Sequence, residues 1–336
     1  MDQATIKDVA IRAGVSKTTV SHVLNTTRFV EEETRQKVLQ AIKELNYRPS
    51  TAARSLTTKR TSIVGIVISD SSNIFFGELL KGVEEILRPQ NYTLMICNTN
   101  EMLEYEANYL NLLLNQRVDG IIAAATSQRW VELLKAEALH TPIVFVDRIF
   151  ENNPDYYIGV DNKTGAYQGT QYLIECGYRK IGILTGLDRI STMRERLDGY
   201  RQALMDAGLP INNEWIIPSQ LCVEGGRQAM QKLFSQQDMP EAVFINNNLL
   251  ALGALLEIRE LNLRCPEDIG IVSFDDHPWA AVSCPPLTVV QQPTQKLGQI
   301  SAEMILALIN NQPVPEKYVI LDCELVERQS CRSIQR

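Results

Sequence analysis

From Ile63 onward the chain alternates short apolar runs with longer amphipathic ones, and this alternation restricts its fold more than any other feature. The runs 63–68 (IVGIVI), 92–97 (YTLMIC), 119–125 (DGIIAAA) and 142–147 (PIVFVD) have the length and apolar content of buried strands. Between them, 76–88, 101–115 and 129–139 place apolar residues at helical spacing. The pattern restarts with 181–185 (IGILT), 243–246 (VFIN) and 269–274 (IGIVSF), again separated by helical stretches. Strands that alternate with helices form parallel sheets covered on both faces. Two successive runs predict two similar doubly wound subdomains.

Open parallel sheets bind ligands beyond the carboxyl ends of their strands. The residues that follow the strand candidates are Ser71, Asn73, Phe75 and Phe76; Asp147 and Arg148; Asp161; Thr192 and Arg196; Asn246 and Asn248; and Asp275. Together they offer aromatic faces, bidentate donors and carboxylate acceptors. A polyhydroxylated ligand needs that mixture, because each buried hydroxyl both donates and accepts. The competing reading is that strand-end polar groups only cap neighbouring helices, as Asp147 and Asp161 could.

The first sixty residues read differently. Thr5 with Asp8 is a capping-box pattern, Ile6, Val9 and Ala10 line one helical face, and Gly14 supplies a left-handed stop. Ser16 opens a second helix that ends at Asn25, and Val38, Ala41, Ile42 and Leu45 give a third helix, from about Glu32, its core face. The first two helices, joined at Gly14, form a helix-turn-helix pattern. Lys17, Thr18, Thr19, Ser21 and His22 lie toward the exposed start of the second helix. In such motifs that end enters the major groove of DNA; the bland alternative is a solvated face. Pro49 then breaks the chain, and Ser50 to Leu56 is too short to hold a helix in water unless something packs on it.

Charge separates the two regions. The whole chain carries −7, yet residues 1–60 hold 11 Lys+Arg against 6 Asp+Glu, a balance of +5, leaving 22 against 34, or −12, for the rest. A basic head on an acidic body predicts that only the head meets phosphate. The seven cysteines include no C-x-x-C pair, so neither zinc nor a redox dithiol is signalled. The start MDQATIKDVA has no apolar signal-peptide core, and no apolar run reaches the roughly 18–20 residues of a membrane span. These features predict a cytoplasmic protein without membrane partners.

The segments TIKDVAIRAGVSKTTVSHVLN and ELNYRPSTAARSL resemble the head and hinge of the lactose-repressor/galactose-repressor (LacI/GalR) family, and the resemblance extends through TMRERLDGYRQAL and SFDDHPWA. It implies a small all-α helix-turn-helix head on an α/β body of two doubly wound subdomains of the periplasmic-binding-protein type. The head would span 1–48, the hinge helix and linker 49–62, and the body 63–336. Within the body one subdomain would comprise about 63–161 and 293–323, the other 162–292 and 324–336. By the same resemblance Lys17, Thr18 and His22 read bases, and Leu56 is a wedge driven into the minor groove. Thr5, Ser16, Thr19, Ser21, Asn25 and Arg35 would position phosphates, and Arg196 and Asp275 would hold a small effector.

The implied protein is a homodimeric regulator, a repressor, on palindromic operator DNA; dimer is preferred to tetramer because no leucine heptad tail follows the last strand. Departures from the family pattern bear on the effector. The common Asn-Pro-Phe-Phe reads Asn73-Ile74-Phe75-Phe76, a frequently acidic position is Asn248, and the third helix opens on Val30-Glu31-Glu32-Glu33 without a serine cap. With Arg148, Arg194 and Arg196 nearby, loss of that acid favours a sugar acid or phosphosugar over a neutral sugar. A phosphoprotein corepressor is an alternative controller, and a sugar-binding protein or an enzyme are weaker rivals. Adjacent Asp275 and Asp276 point to opposite faces of a strand, and the three histidines, His22, His140 and His277, form no catalytic or metal motif. No cofactor, no metal and no catalytic residue are expected.

Overall fold

A computed structural model describes residues 4–25, 28–47, 60–124, 141–148 and 155–332. The helix expected over 129–139, the hinge segment and Leu56 lie outside the described residues. The chain divides into two compact units, Met1–Thr61 and Ser62–Arg336.

The head contains α1 (Ile6–Ala13), α2 (Lys17–Asn25) and α3 (Glu32–Glu44). At the start of α1 the Thr5 amide and hydroxyl both donate to the Asp8 carboxylate, at 2.8 and 2.7 Å. Gly14 ends α1 at φ 68°, a left-handed conformation in which a side chain would be strained. Ser16 accepts the Thr19 amide at 3.0 Å and so caps α2. Glu31, in the cap position of α3, makes no side-chain capping bond, as the missing serine predicts. Val9, Ala10, Val20, Val38 and Ala41 form the core where the three helices meet. An Arg12–Glu44 ion pair joins α1 to α3 at the surface.

In the body, strands β1 (Ile63–Ile68), β2 (Thr93–Asn98), β3 (Gly120–Ala123), β4 (Ile143–Val146), β5 (Tyr157–Val160) and a late strand, β11 (Tyr318–Leu321), form one sheet. The second contains β6 (Ile181–Thr185), β7 (Ile216–Pro218), β8 (Ala242–Ile245), β9 (Gly270–Phe274), β10 (Thr288–Gln291) and β12 (Glu324–Val326). The orders are β2-β1-β3-β4-β5-β11 and β7-β6-β8-β9-β10-β12, so the lobes repeat one plan. All pairings are parallel except β12 with β10. The order reverses between β1 and β3 and between β6 and β8, the points where such sheets leave a crevice.

Burial on both faces explains the apolar runs. In β1, Val64, Ile66 and Ile68 pack with Leu79, Val83 and Leu297 on one side, while Val67 packs with Leu110, Leu113 and Ile121 on the other. In the second sheet Val243 and Ile245 face Leu250 and Ile271, and Phe244 faces Tyr178 and Tyr200. The covering helices are α4 (Ile74–Leu87) and α5 (Leu103–Asn115) in the first lobe. In the second they are α6 (Asn162–Glu175), α7 (Ser191–Asp206), α8 (Val223–Phe234), α9 (Asn248–Glu260) and the short α10 (Pro278–Val282).

Then α11 (Thr294–Ile309) returns to pack on α4. The two backbones approach so closely that a Cβ at Gly82 would lie 2.0 Å from the Gln295 carbonyl, and one at Gly298 2.1 Å from that of Leu79. The chain thus passes between lobes three times, after β5, after β10 and after β11.

Candidate functional site

The facing ends of the two sheets line a cavity partly open to solvent. The first lobe contributes Ser69, Asp70, Asn73, Phe75, Phe76, Glu101, Asp147 and Arg148; the second contributes Thr192, Met193, Arg196, Leu221, Asn247 and Asp275, with Gln292 from a crossing segment. A wider outer chamber of about 980 Å³ shares Ser69, Asp70, Glu101 and Leu221 and adds Arg189, Ser219 and Gln220.

Two aspartates occupy matching places. Asp147 follows β4 at φ 68° and Asp275 follows β9 at φ 74°, the fourth strand of each lobe in chain order. A non-glycine residue in this region is strained, though Asp tolerates it better than most, and strain of this kind gathers at binding sites. Both are buried. Burial pushes the Asp147 carboxyl up to about 6, against the pull of Arg148 and Arg196 and with help from Asp275 and Glu101. Asp275 accepts from the Gln292 amide at 2.5 Å.

Arg196 stands on the second turn of α7, not directly at a strand end. It is 3% exposed; its Nε donates to Asn162 at 2.8 Å, its Nη1 to the Asn246 carbonyl at 2.5 Å, and its plane lies 3.6 Å above the Phe274 ring. Among the described residues Nη2 has no hydrogen-bond partner, which leaves it available to donate to a ligand. Arg148 is differently placed: Nη1 and Nη2 fork onto the Glu101 carboxylate at 2.9 and 2.6 Å, and Asp147 lies 3.6 Å from its Nε. Burial works to raise Glu101, but the charge and fork of Arg148 hold it below the usual carboxylate range. Arg194 donates to the Asp188 carbonyl at the surface and does not line the cavity.

Of the twelve sequence-expected effector residues, Asn73, Phe75, Phe76, Asp147, Arg148, Thr192, Arg196 and Asp275 line this cavity. Asn246 lies beneath it, its carbonyl holding Arg196 and its amide donating to Thr185 at 2.7 Å. Asn248 lines a separate cavity of about 680 Å³ with Phe75, Glu78, Asp275, Asp276 and His277. Ser71 is exposed and tied to Asn98, and Asp161 caps α6 by accepting the Thr164 amide at 2.9 Å. Sequence reasoning passed over Ser69, Asp70, Asn247, Glu101 and Gln292. The first three follow β1 and β8 almost directly and were within reach of the strand-end rule; the other two owe their place to tertiary partners.

In the head, α2 buries Val20 and leaves Lys17 and Thr18 exposed, with Ser21 and His22 half-buried one turn on. Thr5, Ser16 and Arg35 are exposed and Thr19 half-buried; Asn25 closes α2. Ser16 and Thr19 hydroxyls lie 2.9 Å apart and Thr5 serves Asp8, so these groups are already oriented locally. Among the described residues no group of three His, Cys, Asp or Glu side chains could hold a metal, and no helix is long and apolar enough to cross a membrane.

Residues 5–50 match the family model for bacterial regulatory proteins of the lacI family, and 61–329 match that for periplasmic binding proteins and the sugar binding domain of the LacI family. The HTH-type transcriptional repressor PurR of Vibrio vulnificus (strain CMCP6) is 38% identical over 333 residues, 98% of this chain and 99% of that protein. A crystal structure of the lac repressor dimer bound to operator and the anti-inducer ONPF aligns with TM-score 0.87 at 28% identity, covering 98% of this chain and 99% of that one. The transcriptional regulator CelR in complex with cellobiose aligns at 0.73 and 29% identity, covering 98% and 100%. With head and lobes matched over nearly their full length, the chain belongs to the LacI family of DNA-binding transcriptional repressors and is not an enzyme.

Proposed function

We propose that this repressor binds a palindromic operator as a homodimer and that a small effector held between its lobes sets its affinity for that DNA. The observation that carries the reading is a cavity lined by both lobes, with Asp147 and Arg148 from one and Arg196 and Asp275 from the other. A ligand touching both lobes can bind one relative orientation better than another, and only such a difference shifts an equilibrium. The neighbours support the same arrangement: one is a repressor dimer on operator, another a complex with cellobiose.

Lys17, Thr18 and His22 read base edges, while Thr5, Ser16, Thr19, Ser21, Asn25 and Arg35 place the phosphates. Leu56 is the minor-groove wedge. The cavity favours a neutral, hydroxyl-rich effector over a sugar acid or phosphosugar. Asp70, Glu101, Asp147 and Asp275 outnumber its two guanidinium groups, and Arg148 is already forked onto Glu101. An added anion would meet no spare charge except the free edge of Arg196.

The test is a thermal-shift screen of sugars, sugar acids and purine bases, followed by operator titrations with and without each hit. A ligand at 100 times its Kd adds about 2.7 kcal/mol of stability. Arg196→Ala leaves buried ligand oxygens unpaired and should weaken effector binding by about 2–4 kcal/mol while leaving effector-free operator affinity within a few-fold. An Arg196→Ala protein that responds at the same effector concentration refutes the cleft as sensor and favours control by a phosphoprotein partner.

A further inference from the structure

The second cavity has a wall that joins the lobes. Asn248, at the start of α9 in the second lobe, donates its side-chain amide to the Asn73 Oδ1 of the first lobe at 2.9 Å. The same nitrogen lies 2.6 Å from Nε2 of His277. Asn73 Oδ1 also accepts the Phe75 amide at 3.0 Å, so it caps α4 with one lone pair and meets the other lobe with the second.

These contacts fix the hydrogens. The Asn248 amide nitrogen has two, one for each neighbour, which makes Nε2 of His277 an acceptor and places the ring proton on Nδ1. Rotating the amide would set its oxygen against the Asn73 oxygen, losing one bond to repulsion. His277 is 6% exposed, and its Nδ1 is buried without a hydrogen-bond partner among the described residues. A second ring proton would have to sit on Nε2, where it would face the Asn248 N–H donors.

We infer that Asn73, Asn248 and His277 form a pH-sensitive latch: it holds the lobes in the arrangement seen here while His277 is neutral and releases them when His277 is protonated. Asn248 is then a positioning residue between lobes, where an acid, which only accepts, could not serve both partners.

Among the described residues, charged and aromatic groups from several elements face His277. Asp275 and Asp276 precede it, Glu78 approaches from α4 in the first lobe, Trp279 lies with its ring 5.9 Å away, and Arg328 is forked onto Asp276 at 2.9 and 2.6 Å. Burial lowers the His277 pKa below 6.5, and Asp275 and Asp276 work against it. A lowered histidine contributes its full stability above its unfolded pKa and loses it as pH falls. The latch is therefore closed at neutral pH and opens on acidification below about 6.5.

The experiment is an NMR titration of the imidazole groups in the full-length protein, with His277→Gln used to assign one of the three histidines. His277 should titrate below 6.5 in the parent. Asn73→Ser retains a capping oxygen for α4 but is too short to reach Asn248; it should free the Asn248 amide to turn and raise the His277 midpoint by about 0.5 unit or more. Asn248→Asp should raise it above 6.5. An unchanged His277 midpoint in Asn73→Ser overturns the latch, because among the described residues the hydrogen bonds of Asn248 link that residue to the ring.

A second arm measures effector-free operator affinity between pH 5.5 and 7.5. This arm rests on the proposed DNA reading; the NMR arm does not. The parent should show a pH dependence several-fold larger than His277→Gln, and equal dependence in both overturns the regulatory role. Failure of the parent to bind any operator counts against the head assignment alone.

Discussion

Asp147→Asn removes the charge that the cleft tolerates least. The carboxyl is raised from 3.8 to about 6 by burial. Below about 4 the group is protonated in folded and unfolded chains alike, so it contributes no difference. Between the two values the folded chain holds a proton that the unfolded chain has released, and stability declines as pH rises; above about 6 the full cost of a buried carboxylate is present. Two units correspond to about 3 kcal/mol as an upper limit. The amide has the same shape and can lie beside Arg148 without charge. In a body of this size the gain should appear as a Tm rise of about 5–10 °C at pH 8, shrinking to nothing near pH 4. Thermal unfolding of both proteins from pH 4 to 8, followed by circular dichroism, measures it. The same variant should bind effector more weakly, because a binding site keeps groups that folding alone would discard. A variant less stable than the parent at pH 8, or a difference that does not change with pH, would refute the reasoning and mean that Arg148 and Arg196 compensate the charge fully.

Glu101→Gln should act in the opposite direction: its carboxylate is held low by Arg148, so the variant should lose about 1–3 kcal/mol at neutral pH, with the deficit closing as pH falls below about 4.5 in urea unfolding. Gly82→Ala places a methyl 2.0 Å from the Gln295 carbonyl and should cost about 3 kcal/mol or more by forcing α4 from α11; a neutral result would contradict the close approach. His22→Ala should relax preference at one operator half-site position by about 1–3 kcal/mol, read by competition among single-base variants. Operator affinity should fall steeply with salt, and a fragment from Ile63 should retain its fold but lose DNA; retention would displace the head as reader.

Strands such as Ile63–Ile68 and Gly270–Phe274 were visible in sequence because each is a largely apolar run of five or six residues buried almost throughout. Strands β5, β7, β10, β11 and β12 were not expected from sequence; their pairing is set by the sheet they join. Within the cleft, Asp147, Arg148 and Asp275 were legible from the strand-end rule. Asp161 followed the same rule and is a helix cap, because a carboxylate beside a helix start satisfies local amides first. Glu101 and Gln292 carry no local signal; each matters through a partner distant in sequence, Arg148 and Asp275. The expectation of an anionic effector counted arginines alone, and the pairing of Arg148 with Glu101 carried no signal in the sequence.

The threefold passage between lobes also governs synthesis. Strand β5 is complete at Val160, but the strand that covers its outer edge, β11, pairs Tyr157 with Tyr318 and Val160 with Leu321. Roughly 160 residues must be translated between the two, which at ribosomal rates takes on the order of ten to thirty seconds. Helix α11, which fills the space against α4, emerges only slightly earlier. Throughout that interval the nascent first lobe presents an open strand edge and an uncovered apolar helix face while the second lobe is being made and can fold around it. An exposed edge invites pairing with neighbouring chains. The first lobe begins first yet stays unfinished until the chain is almost complete, so the yield of native repressor depends on how long an unfinished sheet can wait.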